Sequence, residues 1–124
     1  MESIREIYKI GHGPSSSHTM GPRFAAERFL KRIAGSDVEK FEVTLYGSLA
    51  ATGKGHLTDV AILDIMNSVA PTTIEWRPDV FLKFHPNGMK FKAIGNGGET
   101  IDEWTVYSVG GGDLAEEGVP SNRP

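Results

Sequence analysis

The chain has no cysteine, so it can form no disulfide, offer no thiolate nucleophile and hold no cysteine-ligated metal cluster of its own. It has no apolar run approaching the ~20 residues that span a bilayer. Its start, MESIREIYKIG, carries an acidic residue at position 2 and no apolar leader core. A cytoplasmic protein without a membrane partner is therefore expected. Basic runs and arginine–aromatic clusters are also missing: 13 basic and 16 acidic residues mix along the chain to a net charge of -3, which argues against nucleic acid. None of the four histidines pairs at the i, i+4 spacing of a helical zinc site, so no metal site is expected from this chain alone. There is no internal repeat and no low-complexity tract.

What is present suits one globular domain. The 124 residues are 39% hydrophobic and 23% charged, enough to bury a single core and too few for two. Ser3 and Glu6 match a capping box ahead of Ile4, Ile7 and Ile10, predicting a short helix over 4–10 that Gly11 stops. Ala25, Ala26, Phe29, Leu30 and Ile33 share one face of a helix predicted over 17–34, with Pro22 tolerable only near its start. Phe41, Val43 and Leu45 alternate with polar residues in a predicted strand. A second helix is predicted in LTDVAILDIMNSV, capped by Thr58 or Asp59. Alternating runs around Pro86-Asn87-Gly88 predict a hairpin, and TIDEWTVYSVGGG predicts a further strand, giving three consecutive antiparallel strands. The expected class is α+β, with helices packed on a mostly antiparallel sheet. The polar stretch 113–124 reads as a linker following a domain over 1–112.

Two stretches invite chemistry. In GPSSSHTMGP, residues 13–22, a helix start follows Ser15, Ser16, Ser17, His18 and Thr19, and the unpaired N–H groups of a first turn favour an anion. The run is either an anion cup for a carboxylate or phosphate or one helix cap with solvated neighbours. GSLAATGKGHLTD, residues 47–59, fails as a Walker loop because five residues separate Gly47 from Gly53 and Gly55, not Ser or Thr, follows Lys54. His56, in that bend, is either a candidate general base or a surface histidine near a helix cap. His12 and His85 have no comparable company and read as structural or solvent-facing. The glycines at the end of SVGGG permit close backbone approach or begin a flexible linker.

Taken in order, IYKIGHGPSSSHTMGPRFAAERFL, LYGSLAATGKGHLTD, FHPNGMKFKA and VYSVGGG resemble the beta chain, or N-terminal beta domain, of the bacterial iron-sulfur L-serine dehydratases, from about Ser3 to Gly112. The resemblance implies pyridoxal-independent conversion of L-serine to pyruvate and ammonia. It implies a four-iron, four-sulfur cluster, held by an alpha chain or domain and not by this chain, whose open iron takes the substrate hydroxyl as a Lewis acid. It implies carboxylate binding by Ser15, Ser16, His18 and Thr19, and α-proton abstraction by His56. It implies a fold similar to the allosteric substrate-binding domain of some phosphoglycerate dehydrogenases, and a homo-oligomer. The isolated chain is then expected to be inactive. A non-catalytic domain that senses serine or another small anion is the alternative.

Overall fold

A computed structural model describes residues 13–53, 58–83, 85–110 and 113–116, apart from the side chains of 13–19, 52–53 and 110. The helix expected over 4–10 lies outside the described residues. Helix α1 (Gly13–Arg32) begins four residues earlier than its apolar periodicity suggested. Pro14 explains the early start, because proline suits a first turn where its missing N–H costs nothing. The second Gly-Pro pair is interior, so Pro22 removes one backbone donor mid-helix. Lys31 and Arg32 sit in the last turn, where cations oppose the negative end of the dipole.

Strand β1 (Val38–Tyr46) follows, with Phe41, Val43 and Leu45 buried in alternation. The next stretch, expected as a glycine-rich bend, forms helix α2 (Gly47–Gly53), because Leu49 and Ala50 bury against the core and good helix formers lie between its glycines. Helix α3 (Thr58–Met66) buries Thr58, Ala61, Ile62 and Met66. Strand β2 (Thr72–Arg77) was not anticipated; its signal is the β-branched and aromatic run TTIEW. Strands β3 (Gly88–Gly95), β4 (Thr100–Gly110) and β5 (Asp113–Ala115) complete the set, so three residues expected in the linker instead pair along a sheet edge.

The sheet order is β2-β1-β3-β4-β5, with β2 parallel to β1 and the other three pairings antiparallel. This is the α+β class expected, but the Asn87-Gly88 hairpin does not form. Strand β3 is bonded by β1 on one side and β4 on the other, leaving no edge for a strand from 79–86. The β3–β4 reversal falls instead at Gly95–Glu99, where Gly98 has φ +85° and Gly95 N–H donates to the Glu99 carbonyl at 2.8 Å.

Helices α1 and α3 pack against each other on one sheet face. Phe29 of α1 is fully buried, its ring 5.6 Å from Phe91, 6.2 Å from Phe41 in an edge contact and 6.4 Å from Trp104 in a parallel stack. Those partners come from β1, β3 and β4, so one side chain ties a helix to the three central strands. The opposite sheet face carries Glu42, Lys92 and Glu103 in register, a polar ladder suited to water.

Candidate functional site

The ends of the sheet differ, and the helix directions identify the one that concerns function. Arg32, at the end of α1, reaches Asp102 with two hydrogen bonds of 3.1 and 3.2 Å, and Asp102 opposes Ala93. Gly21, eleven residues earlier, lies against Ser108 near the end of β4. Helix α1 therefore runs antiparallel to β4 and starts at the end of the sheet where Tyr46, Arg77, Gly88 and Tyr107 form a row. At ~1.5 Å per residue, Thr19 lies ~3 Å and Ser15 ~9 Å beyond Gly21 along the axis.

Helix α3 ends toward Thr72, which opposes Phe41 at the far end of the sheet. Its start, Thr58, fully buried, therefore lies at the same end as the start of α1. The helices that begin in or just after the two singled-out stretches thus share one end of the fold. The side chains of Ser15, Ser16, His18 and Thr19 lie outside the described residues, although their backbone is helical. His56 also lies outside them, two positions before Thr58, as does His12.

The described residues around this end are in close backbone contact. A Cβ on Gly21 would come within 2.8 Å of Ser108 Cβ, so α1 meets β4 at a distance only glycine allows. Gly47, at φ +53°, is constrained twice, since a Cβ there would also lie 2.6 Å from the Pro86 carbonyl oxygen. That carbonyl accepts from Ser48 N–H at 3.0 Å, which fastens the 78–87 segment to the start of α2.

Asn87 was read as a turn residue; in the structure it is a junction. Its N–H donates to His85 Nδ1 at 3.1 Å, its carbonyl accepts from Ser108 N–H at 3.0 Å, and its Nδ2 donates to the Ser108 carbonyl at 3.2 Å. Its Oδ1 is buried and accepts no hydrogen bond among the described residues. His85, half-buried, uses Nδ1 to accept the Asn87 N–H. It is tied into the chain turn, the first of the two readings, structural or solvent-facing, that the sequence left open. The sequence signal for Asn87 was present in HPNG, but a hairpin explained the same letters.

Among the described residues no three His, Cys, Asp or Glu side chains gather as metal ligands, and no helix is long and apolar enough to cross a membrane.

Comparison with known proteins gives the family. The serine dehydratase beta chain profile matches residues 3–78 and 65–119. An L-serine dehydratase of Mycobacterium bovis is 36% identical over 157 positions covering 97% of this chain. L-serine dehydratase TdcG of Escherichia coli is 36% identical over 156 positions covering 94% of this chain, and an L-serine dehydratase of Helicobacter pylori is 35% identical over 150 positions covering 93%. This chain spans about a third of their length, 33–34%. The alignments are longer than 124 residues, so the relatives hold residues within the matched stretch that have no counterpart here. The two profile matches overlap over 65–78, the α3–β2 region, where the family pattern is interrupted. The chain belongs to the serine dehydratase beta chain family.

Proposed function

We propose that this chain is the substrate-binding half of an L-serine dehydratase, an enzyme that converts L-serine to pyruvate and ammonia. The observation that carries the reading is the convergence of the starts of α1 and α3 at one end of the sheet, beside an unpartnered Asn87 oxygen. The first turn of α1 presents backbone N–H groups with no internal acceptor, a suitable seat for the serine carboxylate. Ser15, Ser16, His18 and Thr19 add side-chain donors there. His56 takes the α-proton, which is acidified only when the developing carbanion is stabilised by neighbouring charge.

Departure of the β-hydroxyl needs an electrophile. A four-iron, four-sulfur cluster requires thiolate ligands; this chain has no cysteine, and its described residues gather no alternative ligand set. The residues present do not fit the cluster, which therefore belongs to an alpha chain or domain. The complete enzyme is cytoplasmic and homo-oligomeric in this reading, and its beta part shares the architecture of the phosphoglycerate dehydrogenase regulatory domain.

Anaerobic reconstitution with the alpha part tests the assignment. His56→Ala should lower the rate of pyruvate formation by about 10²–10⁴-fold. A rate within a few-fold of wild type would show that the base is another group. Tight calorimetric binding of serine by the beta chain alone would favour a sensor instead.

A further inference from the structure

The outer face of α1 is unlike the rest of the described surface. Ala25, Ala26, Phe29 and Ile33 point into the core, all 5% exposed or less. On the opposite side of the same helix, Met20 is 43% and Phe24 40% exposed, one turn apart. Phe24 continues into a shallow recess of ≈ 190 Å³ that it lines with Glu27, Arg28 and Lys31. Glu27 is held by Arg23 at 3.6 Å, while Arg28 and Lys31 make no ion pair among the described residues. The stripe thus combines two large apolar side chains with two cations that no described residue pairs.

We propose that this stripe is the surface on which the cluster-bearing alpha part docks, through an apolar contact on Met20 and Phe24 and carboxylates facing Arg28 and Lys31. The inference rests on the reading that an alpha part completes the site. Three observations select that occupant. The curated relatives are about three times as long as this chain, so a body of roughly twice its size accompanies the same sequence elsewhere. The stripe begins at Met20, the residue after Thr19, so a body seated over the start of α1 meets it without a gap. Its composition, aromatic and Met with Arg, is that of interface centres, and the unpaired cations ask for acidic partners. A second copy of this chain would instead bring two more unpaired cations and a Glu27 that Arg23 already engages.

This chain, titrated with the alpha part as a separate polypeptide under anaerobic conditions and followed by sedimentation velocity and pyruvate formation, gives the test. The double variant Met20→Ser, Phe24→Ser should weaken association at least ~10-fold. The pair Arg28→Glu, Lys31→Glu should weaken it and abolish its sensitivity to salt. Val69→Ser, which alters an exposed apolar residue after α3, should change neither readout. All five substitutions in the three variants are on exposed positions, and an unchanged circular dichroism spectrum confirms that each variant folds. Association and turnover unchanged in both stripe variants would overturn the docking surface and leave the functional reading standing. Self-association of the wild-type chain that the stripe variants abolish would make a second copy the occupant and overturn the proposal. Failure of the wild-type chain to bind or activate the alpha part would refute the functional reading, and the docking surface with it.

Discussion

At the end of the sheet where β1 begins, polar groups find partners close by. Arg32 spans Asp102 with two hydrogen bonds and lies 5.2 Å over the Trp104 ring, Asn96 Nδ2 donates to Asp37 at 2.9 Å, and Asn67 Oδ1 accepts from Thr72 N–H at 3.0 Å. The Phe29–Phe41–Phe91–Trp104 cluster lies against this end. At the other end, Gly21, Gly47 and Gly88 allow contacts too close for a side chain, Asn87 keeps an unused acceptor, and Met20, Phe24 and Phe81 face solvent. The difference divides the labour. One end is stabilised by pairs among its own residues, and the other keeps an acceptor and apolar side chains that the described residues do not cover.

Removing the ring at the stable end should have the largest effect on folding. Phe29→Ala deletes a fully buried side chain shared by three strands, and a loss of about 3–5 kcal/mol is expected in urea unfolding. A loss below about 1 kcal/mol would mean that the cluster is not the anchor. The glycine end should respond less in stability and more in position. Gly21→Ala drives a methyl group into Ser108 and should cost about 1–3 kcal/mol, although alanine is the better helix former. Adding Ser108→Gly should recover part of that cost. A neutral Gly21→Ala would show that α1 and β4 separate easily.

The same contrast governs what the sequence disclosed. Apolar periodicity is written where residues serve the core, so β1, the body of α1, α3 and β4 were legible from Phe41, Val43, Leu45, Ala25, Phe29, Ala61, Met66 and Trp104. The α+β class followed from them. Strand β2 escaped because it is a short edge strand whose inner face offers only two apolar residues, Ile74 and Trp76, both half-buried against the core. The Asn-Gly signal misled because local turn preference carries no information about which strand edges are already occupied. Helix α2 was hidden by its flanking glycines, one of which is required by the Pro86 carbonyl and not by a bend. Of the site, the two motif stretches stood out in the sequence, but the role of Asn87 did not. Its importance comes from Ser108, 21 positions away.

The smallest expected effect is on the open sheet face, which belongs to neither end. Lys90 donates to Glu103 across the β3–β4 pair at 3.1 Å, and that hydrogen bond raises the lysine pKa above its ordinary 10.5, against partial burial that lowers it, with Tyr46 adding a weaker attraction. A raised folded pKa means that the native state holds this proton more tightly than the unfolded chain does. The stabilisation is therefore complete below pH 10.5 and disappears as pH rises through the higher folded value. Both side chains are more than a third exposed, at 37% and 43%, so solvent screening limits the contribution to a few tenths of a kcal/mol. Urea unfolding of wild type and Lys90→Met should differ by that amount at pH 9 and converge as pH rises through the raised folded pKa of Lys90. A difference that persisted at high pH would assign the effect to packing of the lysine stem on the sheet.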